Sequence, residues 1–216
     1  MVKIKWLGHA CFEVKDKVTV VTDPHDGVNI GIPPPKSSAD IVLISHDHFD
    51  HADGKNLVAK PDAIVVDRPG NYEVKGVKIK GVATYHDDVK GAKRGPNTVY
   101  VFELEGLRIC HLGDLGHILS PDDIEEIGKV DILLTPVGGT FTIDATAASK
   151  VVEQLKPKVV IPMHFKVPGL KLPLASVEEF LKGKDNVKRL TTNEVEVKKE
   201  ELPSETTIML LQHSSP

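Results

Sequence analysis

Cysteine and glutamine are scarce in this chain of 216 residues, and aromatic residues make up only 5%. Cys11 and Cys110 are isolated within apolar, strand-like stretches, so they offer no disulfide framework and read as buried thiols of a reducing cytoplasm. No run of about 18 apolar residues occurs, which excludes a membrane-spanning helix. Lys3 to Leu7 enters a strand pattern at once and leaves no apolar signal-peptide region. The net charge of −4 and the low aromatic content argue against a broad nucleic-acid surface. The only glutamines are Gln154 and Gln212 against 27% charged residues, a bias compatible with a thermophilic source.

Histidine, by contrast, is plentiful and clustered. His46-Asp47-His48-Phe49-Asp50-His51 places three imidazoles just after the apolar run Ile41–Ser45. His46 and His48, two apart, can converge on one ion from a turning backbone, while Asp50 and His51 lie beyond the turn and can reach a second. Such nitrogen and oxygen donors suit borderline divalent metals, zinc most commonly and manganese as the alternative. A polar turn that happens to be His-rich is the competing interpretation. Other strand-like runs argue against it, because each releases a His or Asp at its end. Tyr72–Thr84 leads to His86, Leu107–Leu112 to Gly113-Asp114, and Val159–Met163 to His164. Strands fix direction while loops gather side chains, so ligands collect where strands terminate.

Further elements follow from local signals. Lys3–Leu7, Cys11–Lys15 and Val18–Thr22 predict a meander that turns at Asp16-Lys17. Thr98–Leu104 and Leu107–Leu112 predict a hairpin across Glu105-Gly106. Residues 27–38 contain three consecutive prolines and predict a surface loop, either a connector or a wall of the pocket. Ser120-Pro121 opens a short helix that Gly128 ends. Asp144 opens a second, with Ala148, Val151, Val152 and Leu155 facing a sheet and Pro157 beyond its end. Ser176-Val177-Glu178-Glu179 predicts a capping box for a third, ending near Gly183. Glu194–Lys198 and Thr206–Leu211 predict closing strands. With no repeat or long linker, residues 1–216 are expected to form a single domain.

The order His-x-His-x-Asp-His, then His86, Gly113-Asp114 and His164, resembles the metallo-β-lactamase superfamily of hydrolases across nearly the whole chain. Leu7-Gly8-His9-Ala10, His111-Leu112-Gly113-Asp114, Pro136–Gly139 before Phe141-Thr142, and Pro162–Phe165 resemble the branch of L-ascorbate-6-phosphate lactonases and related metal-dependent hydrolases. More distantly the chain is similar to N-acyl-phosphatidylethanolamine phospholipases. The resemblance implies an α/β fold, a four-layer αββα sandwich of two facing sheets. It also implies two divalent ions, with His46, His48 and His86 at the first, Asp50, His51 and His164 at the second, and Asp114 bridging. A water or hydroxide shared between the ions would then be the nucleophile, with Asp50 and Asp114 in catalytic positions. Asp23 matches the family's early Asp, with a role in orienting a ligand imidazole or the His46 turn.

Several other polar residues remain open. His111 is expected to face the core or bond to backbone. His9 and His117 are candidates to touch substrate or a metal ligand. His25 could reach the pocket rim, and His213 reads as surface. Arg94, in the cationic loop 90–97 after His86, could hold a phosphate or carboxylate, or the loop could simply be solvated. Gly138–Thr142 could bring backbone donors near the site, or its glycines could serve only a turn.

The expected function is hydrolysis of a small ester, lactone or phosphoester substrate, anionic if Arg94 participates. A phosphodiesterase acting on RNA or DNA is the enzymatic alternative, and a non-catalytic metal-binding or ligand-sensing module the other. A catalytic role is favoured because a structural metal site normally closes its coordination sphere with protein groups.

Overall fold

A computed structural model describes residues 1–214. In chain order its strands are β1 (Val2–Trp6), β2 (Phe12–Lys15), β3 (Thr19–Thr22), β4 (Ala39–Leu43), β5 (Ala59–Val66), β6 (Gly70–Val74) and β7 (Val77–Tyr85). They continue as β8 (Pro96–Leu104), β9 (Leu107–His111), β10 (Ile132–Pro136), β11 (Val159–Met163), β12 (Val187–Arg189), β13 (Glu194–Val197) and β14 (Thr207–Leu210). The helices are α1 (Phe49–Ala52), α2 (Lys55–Val58), α3 (Pro121–Ile127), α4 (Ala145–Leu155) and α5 (Val177–Leu181).

Two sheets form, a six-stranded one ordered β13-β1-β2-β3-β4-β5 and an eight-stranded one ordered β12-β14-β11-β10-β9-β8-β7-β6. Their composition follows from side-chain alternation, since successive residues of a strand point to opposite faces. In β3 and β4, Val20, Ile41 and Leu43 join the large core that also holds Trp6, Phe12, Tyr100 and Phe102. Their neighbours Val21 and Val42 join Ile44, Ala52 and Val58 in a second cluster that includes residues of α1 and α2. The six-stranded sheet is therefore covered on both faces. On the eight-stranded sheet β10 and β11 are buried throughout, and α4 lies against β10 through Ala148, Val151 and Leu155.

Most sequence-predicted elements are present, and their ends obey the expected chemistry. Glu105 and Gly106 both take positive φ (49° and 72°), as a primed two-residue hairpin turn requires. Ser120 and Asp123 form a reciprocal capping box at α3. Asp144 caps α4 by accepting from the Ala147 N–H. The expected capping box at α5 is not made, since Ser176 Oγ accepts from the Glu178 N–H instead; the helix ends at Leu181, just before Gly183, as expected. Strand β5 was not anticipated. Pro61 and Asp62 interrupt its apolar pattern, a departure tolerated because β5 is an edge strand.

Strand direction positions the site. β1, β3 and β4 run the same way in the first sheet, because β1–β2 and β2–β3 pair antiparallel and β3–β4 parallel. β7, β9 and β11 run the same way in the second by the same reasoning. The residues that follow these six strands include His9, Asp23, His46, His86, Asp114 and His164. The two sheets are tied together beside these ends, where Tyr100 Oη donates to the Ile44 carbonyl (2.9 Å) and the Thr98 N–H to the Ser45 carbonyl (2.8 Å).

Candidate metal centre

Six of the ten histidines gather at this edge in three overlapping sets of close donor atoms. One comprises His46, His48 and His86, another His9, Asp50, His51 and His164, and the third joins Asp23 to His46 and His51. Asp114 stands between the first two. Its Oδ2 lies 3.1 Å from His86 Nε2, 3.1 Å from His51 Nε2 and 3.5 Å from His46 Nε2. Its Oδ1 lies 3.2 Å from His164 Nε2. Asp50 Oδ2 reaches both His51 Nε2 (3.2 Å) and His9 Nε2 (2.8 Å).

Asp23, buried after β3, fixes the orientation of two of these rings. Its Oδ2 accepts from His51 Nδ1 at 2.8 Å and from Ser45 Oγ at 2.6 Å, while Oδ1 accepts from the Ser45 N–H at 2.7 Å. Ser45 Oγ in turn lies 2.9 Å from His46 Nδ1. Held at Nδ1 by this network, each ring turns its Nε2 to the interior. Asn97 does the same for Asp114: its Oδ1 accepts the Asp114 N–H at 2.9 Å, and its amide donates to Thr84 Oγ1 and the Leu112 carbonyl. A Cβ at Gly113 would fall 2.5 Å from both Asn97 Oδ1 and Ser45 Cβ, so the approach of the two sheets here requires glycine.

The donor set fits divalent cations. Among the described residues, the buried Nε2 atoms of His46, His51 and His164 and Oδ1 of Asp114 have no partner in hydrogen-bond geometry. Orphaning such groups costs about 1–3 kcal/mol each. Asp23, Asp50 and Asp114 also bring three carboxylates into one buried volume, where unpaired negative charge is far costlier. Burial raises the Asp114 carboxyl, but His164, His51 and His46 outweigh it and hold it well below the usual carboxylate range. Burial likewise opposes ionisation of Asp50, and His51 and His9 overcome it. For His46 burial dominates and pushes the imidazole down to about 3, so the ring is a neutral donor at physiological pH.

The remaining sequence candidates fall in different places. His111 Nε2 donates to the Ala10 carbonyl at 2.8 Å, within the core. His9 packs on the His164 ring at 4.0 Å, fully buried. His117 spends both ring nitrogens on backbone, accepting from the Tyr85 N–H and contacting the Ile118 carbonyl. His25 does not reach the rim: it is buried and donates to the Leu7 carbonyl at 3.1 Å. His213 is not merely surface but packs edge-on against Trp6 at 5.4 Å. The proline loop borders a different groove, in which Pro33, Pro34 and Pro35 meet Trp6 and His213.

The metal-ligand candidates open to solvent through a cleft of about 480 Å³. His48, Asp50, His86 and Asp114 form its floor, and Phe49, Phe141, Leu172, Lys93 and Arg94 its walls. Arg94 donates to the Thr140 carbonyl at 3.1 Å and covers the Phe141 ring at 5.6 Å. Gly138 donates its N–H to the His164 carbonyl and packs against that backbone, and Phe141 of the same segment lines the cleft. Ser45, Asn97 and the apolar walls were missed by sequence reasoning. Only the position of Ser45 and Asn97 beside strand ends could have flagged them.

Comparison with known proteins agrees with this geometry. A model of the beta-lactamase superfamily domain matches residues 3–164. A UPF0173 metal-dependent hydrolase of Thermococcus onnurineus is 36% identical over 190 residues, covering 76% of this chain and 85% of the relative. The chain belongs to the UPF0173 metal-dependent hydrolases of the metallo-β-lactamase fold. A crystal structure from Thermotoga maritima, assigned to the Zn-dependent hydrolases of the metallo-beta-lactamase superfamily, superposes on this family member with TM-score 0.79. The identity is 46%, with 98% of this chain and 100% of the other covered. Human tRNase Z, short form, shares the fold alone: TM-score 0.54, 11% identity, 76% of this chain and 92% of that one.

Proposed function

We propose that this metal-dependent hydrolase holds two divalent ions, zinc or manganese, and cleaves a small ester, lactone or phosphoester. The observation that carries the reading is Asp114, whose carboxylate touches four imidazole Nε2 atoms drawn from the first two donor sets. His46, His48 and His86 would hold one ion, Asp50, His51 and His164 the other, with Asp114 shared. Ions bound there would lower the pKa of water toward neutrality and polarise the scissile group.

This chain's own residues supply the rest. Asp23 and Ser45 keep His51 and His46 turned inward, and Asn97 keeps Asp114 in place. Asp50, with Asp114 one of the two carboxylates among the described residues lining the cleft, would accept the proton of the attacking water. Its hydrogen bond to His9 provides a buried neighbour that fixes that carboxylate. The motifs around His9, Asp114, Gly138 and His164 that resemble lactonases support a lactone as one candidate substrate, and Arg94 at the cleft wall suits an anionic one.

The test is a screen of zinc- and manganese-loaded protein against esters, lactones, phosphoesters and RNA, with chelated protein as the control. Metal-dependent turnover of a small substrate is the expected result. Cleavage of RNA alone would move the activity to the phosphodiesterase class. No turnover in metal-loaded protein would leave a non-catalytic binding module.

A further inference from the structure

The cleft above the metal ligands has two chemically distinct walls. Phe49 and Phe141, with Leu172, supply an apolar surface, and Phe49 is 49% exposed, unusual for a phenylalanine without a partner to cover it. Lys93 and Arg94 supply a cationic lip on the same cleft.

That lip is built rather than loose. Asp87, next to His86, is buried, and its carboxylate accepts four backbone N–H groups of the loop. Oδ1 takes Val89 at 2.9 Å and Gly91 at 2.7 Å; Oδ2 takes Lys93 at 2.9 Å and Arg94 at 2.7 Å. The two cationic residues are thus anchored by their own main chain to the residue after a metal-ligand candidate. Arg94 then spans to the opposite wall, one guanidinium nitrogen on the Thr140 carbonyl and its plane near Phe141. A guanidinium has five donors, so most remain for a ligand. A freely solvated loop would need neither the four-bond anchor nor the crossing contact.

Resting on the hydrolase reading above, we propose that the substrate is an amphiphilic anion. Its apolar arm lies along Phe49, Phe141 and Leu172, its carboxylate or phosphate meets Lys93 and Arg94, and its scissile group faces the floor. The volume of about 480 Å³ suits a small molecule, within the usual range of ligand pockets. Charge-assisted hydrogen bonds to a planar guanidinium give orientation, and the apolar wall gives affinity.

The experiment is calorimetric titration of the metal-free and the zinc-loaded protein with hexylphosphonate, inorganic phosphate and 1-hexanol. Hexylphosphonate should bind at least tenfold tighter than either fragment in both forms, which separates the walls from direct metal coordination. Phe141→Ala should remove the advantage over phosphate, with Leu172→Ser as a second variant should the first fail to fold. Lys93→Gln with Arg94→Gln should remove the advantage over hexanol. Equal binding of hexylphosphonate and its fragments, or no loss in the folded Lys93/Arg94 variant, would overturn the proposal. Binding as expected, with no turnover of any ester, lactone or phosphoester in the screen above, would remove the hydrolytic function and leave this site standing. Turnover of neutral esters, indifferent to Lys93 and Arg94, would do the reverse.

Discussion

Asp23 Oδ2 and His51 Nδ1 meet at 2.8 Å in a wholly buried contact between the end of β3 and helix α1. The same carboxylate reaches His46 through Ser45, so one residue governs two of the proposed metal ligands. Burial raises the Asp23 carboxyl, and the charge and hydrogen bond of His51 more than reverse it. The carboxylate therefore stays ionised and holds the His51 Nδ1–H, which turns Nε2 toward the site.

Asp23→Asn keeps the shape and removes the charge. Outer hydrogen-bond partners of metal ligands typically account for 10–100-fold in affinity. Zinc affinity, measured by competition with a chromophoric chelator, should fall by about that factor while the folded spectrum is retained. An unchanged affinity would show that Asp23 does not orient the ligands.

His25 gives a pH dependence with a definite sign. Burial, the largest influence, pushes its pKa down to about 4, offset in part by its hydrogen bond to Leu7. The native state therefore keeps the ring neutral where the unfolded chain, titrating near pH 6.5, already takes up a proton. Its stabilising contribution is complete above pH 6.5 and is lost as pH falls toward 4. Between pH 7 and 5 the stability of the wild type should fall relative to His25→Gln by about 1–2 kcal/mol. Urea titrations of the two proteins measure this, and parallel pH curves would contradict it.

Cys11 and Cys110 are both fully buried, and burial pushes both thiols well above their ordinary range. The thiolate is the reactive form. Iodoacetamide at pH 8 should therefore leave the native protein unmodified and add two groups per chain after denaturation, read by mass spectrometry. Rapid labelling of the native protein would contradict the packing of β2 and β9 around these residues.

How far the sequence anticipates the structure depends on where each signal is local. The convergence of the metal-ligand candidates was legible because they follow apolar runs, and parallel strands carry such residues to one edge. The caps at Ser120 and Asp144 were legible for the same reason, being decided within four residues. Strand β5 was obscured by Pro61, and the short helices α1 and α2 are too brief to show a periodicity. The roles of Ser45, Asn97 and His25 depend on partners distant in sequence, such as Asp23, Asp114 and Leu7, which no spacing rule reveals. The two-sided cleft was invisible for that reason too, since Phe49, Arg94, Phe141 and Leu172 come from four separate segments.

Asp114→Ala should reduce hydrolysis of any substrate found to the background of the chelated enzyme. The fold should persist, because the residue lies beyond the end of β9 and its backbone remains held by Asn97. Steady-state rates alongside circular dichroism provide the check. A folded variant with full activity would remove Asp114 from the reaction.

The count of bound ions tests the account most directly. After zinc or manganese reconstitution and removal of excess metal, elemental analysis of the folded protein should give about two ions per chain, because seven side chains supply two sets of donors sharing Asp114. His86→Ala and His164→Ala should each lower the count toward one, since they belong to different donor sets. A count of zero or one for the fully folded, reconstituted wild type would contradict the two-ion centre.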